Sequence, residues 1–360
     1  MKFSKLLFLF SFFIVFTACG KKEADQPTPV YQCQTHPQKR YLTGNELVAA
    51  LDDEVVERLG LSNAADNSGA MGRNKGGYFH VRFQMGILPV ARLAISAQRI
   101  DALENAVKAM EYSFQEQLPN GSFRLVVPSA LGSSVPTLGD SASGVAFFLS
   151  SLGSALTLFE QSGWYQSPAQ APYKNRVEQL RPKIALALQW LTAQKTILEN
   201  VDKAAPNRLL FNALAFYSAG VWLLDEEAKA IGRGFARLAM ERKTAQGYFL
   251  ELDGWDSSYQ GVSLSVGFTL YALLNPGDAL LKPLWDCLSC AADWQKSRVL
   301  STGEISTEGN KRVYPGGESF LGQEKTVAAV DTILGLYFMA RYSGRSDFSE
   351  AADKVKNFYT

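Results

Sequence analysis

Three stretches of this 360-residue chain gather side chains able to do chemistry. The densest runs Glu251-Leu252-Asp253-Gly254-Trp255-Asp256-Ser257-Ser258-Tyr259-Gln260 and places three carboxylates, an indole and a phenol within nine positions. Carboxylates serve as general acid and base on a glycosidic bond, a tyrosine passes a proton during β-elimination, and an indole face gives a sugar ring an apolar platform. The plainer alternative is that Asp256 and Ser257 cap a helix while Glu251 and Asp253 are solvated loop charges. A second stretch is Tyr78-Phe79-His80-Val81-Arg82. His80 is one of two histidines, the other being His36 near the amino end. Arg82 beside it can neutralise a carboxylate such as that of a uronic acid. The third, Asn310-Lys311-Arg312-Val313-Tyr314-Pro315-Gly316-Gly317-Glu318, lies in a polar loop, 301–323, too long for an ordinary connection. Asp140 and the pair Asn207-Arg208 add polar groups at the starts of apolar segments. The residue types single out Tyr259, Asp256, His80, Arg82 and Glu318 for catalysis. Trp255, Glu251, Asp253, Asp140, Asn207, Arg208, Arg312 and Tyr314 are left to contact substrate.

The elements that must position these groups are helices of two kinds. One kind is striped: Ile100, Leu103, Val107, Met110, Phe114 and Leu118 step by three and four, as do Ala228, Ile231, Phe235 and Leu238, and Val177, Leu180, Ile184, Leu188 and Leu191. The other kind is apolar or small all round, from Ala142 to Phe159, Leu209 to Leu224, Val262 to Leu274 and Val327 to Ala340. A helix without a polar face must be covered on several sides, which predicts an inner layer of apolar helices and an outer layer of striped ones. Inner helices are expected to start near Tyr78, Asp140, Asn207, Asp256 and Lys325, a recurrence that fits an array of helical hairpins. Gly76-Gly77-Tyr78-Phe79, Asn120-Gly121-Ser122-Phe123, Gln246-Gly247-Tyr248-Phe249 and Gly316-Gly317-Glu318-Ser319-Phe320 each put an aromatic after glycine. Phe123 to Val127 is the clearest strand signal.

Composition limits what the chain can be. Net charge is +1, with no clustered basic excess, which argues against nucleic acid as a partner. About 320 residues from position 41 onward suffice for one large core. Cys287 and Cys290 form a Cys-x-x-Cys within a helical segment, with no second pair to complete a metal site, so they are read as buried or bridged; no metal and no cofactor is expected. At the amino end, Lys2 and Lys5 precede an apolar run from Leu6 to Phe16 that is too short to span a bilayer. It closes on Phe16-Thr17-Ala18-Cys19-Gly20, which resembles the lipobox of bacterial lipoproteins. The resemblance implies a signal peptide, 1–18, cleaved before an acylated Cys19 that binds membrane lipid. A polar tether, 19–40, would then hold a domain, 41–360, outside the cytoplasm at the bacterial cell envelope.

The alternation of helix types resembles the α/α toroid, in which helical hairpins close into a ring, and predicts an all-α domain of about five to six hairpins. Exported bacterial toroids include polysaccharide lyases and glycoside hydrolases, unsaturated glucuronyl hydrolases among them. The resemblance implies a carbohydrate-active protein acting on an acidic polysaccharide or oligosaccharide. It would be a lyase through Tyr259 or His80 with Arg82, or a hydrolase through two of Asp140, Asp256 and Glu318. The alternative is a non-catalytic module that binds a glycan or protein through Trp255, Tyr259 and Tyr314. Fold alone does not choose between them.

Overall fold

Helices with no charged face are stable only when neighbours cover them, and five segments of this chain meet that condition together. The computed structural model describes residues 33–126, 136–320 and 322–359; Cys19, the signal segment and Val127 lie outside the described residues. The inner layer is α3 (Ile87–Ser96), α5 (Leu138–Gln161), α9 (Pro206–Leu223), α11 (Ser257–Tyr271) and α13 (Ala329–Ser343), each packed on the next in that order. Outside them lie α2 (Asp53–Ser62), α4 (Ile100–Gln115), α6 (Ala171–Gln179) continued by α7 (Arg181–Ala193), α10 (Glu226–Glu241), α12 (Leu281–Ser297) and α14 (Ser346–Tyr359). The ring closes between its last and first hairpins. Arg92 of α3 lies 5.7 Å from the ring centroid of Phe338 on α13, and Lys356 of α14 reaches Asp52, the N-cap of α2, at 2.7 Å. The protein is an all-α toroid.

Three expectations need correction. The first inner helix begins at Ile87, not near Tyr78, because the chain before it makes two 3-10 turns, Gly72–Gly76 and Val81–Gly86, with Tyr78 in the link between them. The stripe from Val177 to Leu191 is two helices. Pro182, lacking an N–H, sits in the first turn of α7, and the chain breaks at Leu180. Phe123 and Val126 make only isolated bridges, to Gln117 and Phe79, and the one ladder among the described residues pairs β1 (Ser319–Phe320) with β2 (Gln323–Glu324).

The glycine-aromatic repeat marks a real device at Gly121 and Gly247, and Gly303 supplies a third copy that lacks the aromatic. In each, the chain turns back on itself: Leu118 N–H donates to Ser122 C=O, Thr244 to Tyr248 and Leu300 to Glu304, at 2.8–2.9 Å. The glycines sit at φ +91°, +99° and +94°, where a side chain is strained. A Cβ there would come within 2.3, 2.8 and 2.1 Å of the carbonyl oxygens of Leu186, Cys290 and Lys354 on the following outer helices. Gly77 and Gly316, with open space around them, belong to other loops.

Residues 33–40, expected in the tether, are bound to the domain. Cys33 is disulfide-bonded to Cys290 of α12 across 257 residues, and Cys287 stays free and buried. His36 is buried, its carbonyl accepting the indole N–H of Trp285 at 2.8 Å, and Lys39 N–H donates to Tyr342 C=O at 3.0 Å. The strap leads into α1 (Gly44–Ala49), whose Leu47 and Val48 line a small cavity with Leu158, Leu273 and Phe338 at the end away from the inner helices' amino ends. The covalent link restricts the unfolded chain, so Cys33→Ser should lower unfolding free energy by about 2–4 kcal/mol. Urea denaturation without reductant checks this, with Cys290→Ser and the double substitution expected to lose no more than the single one.

Candidate functional site

The amino ends of the inner helices and the loops before them make one polar mouth. Asp256 begins it as the N-cap of α11. Its Oδ1 accepts the N–H groups of Ser258 and Tyr259, both at 3.1 Å, while Oδ2 accepts those of Arg312 at 2.9 Å and Val313 at 2.8 Å. The carboxylate therefore ties the loop before α13 to the start of α11. Burial pushes its pKa up, against these four donors.

Fixed by that anchor, Arg312 becomes the hub of the mouth. Its Nε and Nη2 donate to the two oxygens of Glu318 at 3.0 and 2.8 Å, Nη1 pairs with Glu251, and the guanidinium lies 4.2 Å from the Tyr259 ring centroid. Tyr259 donates to Glu318 at 2.8 Å and accepts from Lys325 Nζ at 2.6 Å; Lys325 also pairs with Glu318 at 2.9 Å. Burial pushes Glu318 up, but the donors Arg312, Lys325 and Tyr259 outweigh it and hold the carboxyl at about 2. Burial raises the Tyr259 phenol further than Arg312 lowers it, so it stays protonated. Buried Glu251 is raised by burial despite Arg312.

Arg82 joins this cluster, within electrostatic reach of Arg208, Tyr259, Tyr78 and Glu318, its guanidinium 4.3 Å from the Phe147 ring centroid. Burial, with Arg208 adding to it, lowers Arg82 to about 10. Arg208 also influences Asp140 and Glu251, and pairs with buried Asp202 at 3.3 Å. The three sequence stretches thus converge, with Arg82 of the second within electrostatic reach of Tyr259 in the first and Glu318 in the third. His80 is present in a packing role. Its Nδ1 accepts the Arg82 N–H at 3.3 Å, and its ring fills the space left at Gly144 of α5, where a Cβ would stand 2.3 Å from Cε1. Burial and then Arg82 lower it to about 4, so the imidazole is neutral. Asp140 is exposed and forms a capping box with Thr137; burial raises its pKa, but the Thr137 hydrogen bonds prevail and lower it. Asn207 is buried with Oδ1 lacking a donor.

Three expected contacts lie on the outer rim instead. Asp253 is exposed and pairs with Lys311 at 3.4 Å. Trp255 packs on Gly309 and donates its indole N–H to Glu308 C=O at 3.3 Å. Tyr314 is 43% exposed. Lys325 and Asp202 were not singled out by the sequence. Lys325 had a visible signal, a cation at the threshold of an apolar run; Asp202 had none.

No protein family and no curated protein matches the sequence. Among solved structures, a sugar epimerase from a ruminal bacterium aligns with a TM-score of 0.47 and 11% identity, over 88% of this chain and 94% of its own. A D-mannose isomerase aligns with a TM-score of 0.48 and 11% identity, over 88% and 87%.

Two outcomes follow from the geometry. Arg312→Ala leaves buried Glu251 uncompensated, while Glu318 keeps Lys325 and Tyr259, and should cost about 3–5 kcal/mol in urea unfolding, much of it recovered when Glu251→Gln is added. His80 titrates near 4 when folded against 6.5 when unfolded, so its contribution is flat above 6.5 and stability falls as the unfolded chain takes up the proton between 6.5 and 4. The wild type should therefore lose about 2 kcal/mol more than His80→Gln between about pH 7 and about pH 5, measured by denaturation at each pH.

Proposed function

We propose that the protein is a lipid-anchored, extracytoplasmic carbohydrate-active protein that takes an acidic sugar at the mouth of its barrel. The observation that carries the reading is Arg82, seated 4.3 Å from the Phe147 ring centroid with the charge of Arg208 near enough to lower it beyond what burial does. A bound carboxylate offsets that repulsion, and guanidinium forks match carboxylate geometry. The anchoring part rests on the lipobox-like residues around Cys19.

The side chains favour β-elimination over hydrolysis. Arg82 and Arg208 neutralise the uronate carboxylate, which eases removal of the neighbouring proton, and Tyr259 gives its phenolic proton to the departing oxygen and takes the neighbouring proton in its place. A hydrolase pair finds little support. Asp256 is consumed by four backbone donors, Asp140 by its capping box, and Glu318, held at about 2, is no proton donor near neutrality. The second reading, a non-catalytic glycan-binding module, draws on one observation: the Tyr259 hydroxyl already donates to Glu318 and accepts from Lys325.

Incubating the protein with polyuronates tests both, following the ultraviolet absorbance of an unsaturated uronate product and retention on the immobilised glycan. Turnover should fall by about 100-fold or more in Tyr259→Phe with retention preserved. Arg208→Ala should weaken retention itself. Retention without any product would select the binding module, and neither signal would dismiss the acidic sugar.

A further inference from the structure

Lys325 stands where the short hairpin before α13 ends. The ladder pairs Ser319 with Glu324 and Phe320 with Gln323, and one step beyond it Lys325 N–H donates to Glu318 C=O at 2.9 Å. Residues opposite each other across an antiparallel pair send their side chains to the same face, so Glu318 and Lys325 meet Tyr259 together. Lys325 Nζ donates to the Tyr259 hydroxyl at 2.6 Å and pairs with Glu318 Oε1 at 2.9 Å, and Tyr259 in turn donates to Glu318 Oε2 at 2.8 Å. The side chains of Lys325 and Glu318 are 25% and 27% exposed, so this triangle opens to solvent.

The ammonium is not there for Glu318 alone. Arg312 already gives both oxygens of Glu318 a donor, at 3.0 and 2.8 Å, and the shorter of the two Lys325 contacts goes to the phenol. An ammonium can only donate. A neutral hydroxyl gains little from a cation so close, whereas a phenolate gains much, because charges at that distance interact strongly in a half-enclosed site. Burial lowers Lys325 while Glu318 opposes it, so the cation is kept in place against its own enclosure. Arg312 adds a second positive charge, 4.2 Å from the Tyr259 ring centroid, and offsets the carboxylate of Glu318, which a phenolate would otherwise meet. The Lys325 bond also outlasts proton transfer: the phenolic hydrogen turns about the C–O bond from Glu318 to an outside acceptor, while the lone pair that accepts from Nζ stays where it is.

We infer that Lys325 is a positioning residue for β-elimination: through its hydrogen bond to the Tyr259 oxygen it stabilises the phenolate while the phenolic proton is away. The inference rests on the acidic-sugar reading, which supplies the uronate and the departing oxygen. In the step, the bond from carbon to the departing oxygen breaks and that oxygen takes the Tyr259 proton. The C–H bond beside the carboxylate breaks, its electron pair forms the C=C bond of the unsaturated product, and its proton goes to the Tyr259 oxygen. Tyrosine ends as it began, and Lys325 keeps all its protons throughout.

The test compares the wild type with Lys325→Met and Lys325→Arg in polyuronate turnover, followed by ultraviolet absorbance, and in retention on the immobilised polyuronate. Lys325→Met should lower kcat by about 100-fold with KM and retention unchanged, as expected when a donor to a developing oxyanion is lost. Lys325→Arg, which keeps the charge and the donor, should recover most of the rate. A second readout does not depend on turnover: 3,5-difluorotyrosine replaces Tyr259, its fluorines making the phenol acidic enough to titrate, and fluorine NMR follows the titration with and without Lys325→Met. Loss of the ammonium should move the midpoint up by about 1 to 3 pH units, which a merely structural lysine would not do. A Lys325→Met variant that turns over polyuronate at the wild-type rate, or a midpoint that stays or falls, overturns the inference and spares the acidic-sugar reading. Retention by the wild type without product removes the inference together with the elimination chemistry. Neither product nor retention removes the acidic-sugar reading and the inference with it.

Discussion

The toroid depends on a close approach of backbone to backbone. At Gly121, Gly247 and Gly303 the chain leaves an outer helix, turns through a conformation that disfavours a side chain, and seats the turn on a carbonyl of the next outer helix. Each contact sets the distance between neighbouring hairpins, and the inner helices can meet around one axis only if those distances agree. The loops that follow these turns carry the residues of the mouth: Glu251 and Asp256 after Gly247, Arg312 and Glu318 after Gly303. The placement of the polar groups is thus inherited from the repeat that spaces the helices.

Within that frame a second constraint acts. Arg312 satisfies two carboxylates, covers Tyr259 and has its own N–H fixed by Asp256, so two loops distant in sequence share one charge network. Taken singly, each carboxylate of this group looks like a candidate acid or base. Together they are mostly spoken for, each held by donors from another part of the chain.

The layering was legible in the sequence because an all-round apolar helix leaves little choice of environment; α5, α9, α11 and α13 lie where such runs occur. Helix α3 was hidden because it is short and follows 3-10 turns whose aromatic residues resemble a helix start. Polar groups at the starts of apolar segments were legible, but neither the meeting of the His80, Asp256 and Glu318 segments nor their roles followed from them. Whether Asp256 is a free carboxylate or one with four backbone donors depends on Val313 and Arg312 arriving from a loop far along the chain. The partner of Cys290 was equally hidden, since Cys33 reaches it only once the strap is laid along α12. Arg92 did leave a trace, as a single charge in an apolar run, but without the ring closed it reads as an interruption of a pattern.

The end of the ring away from the mouth has a composition of its own. Leu47 and Val48 of α1 line one small cavity with Leu158 of α5, Leu273 after α11 and Phe338 of α13, so that end is assembled from the first and last parts of the domain together. The disulfide-held strap that leads into α1 ties the same beginning to α12, and a change at either place is therefore felt on both sides of the ring.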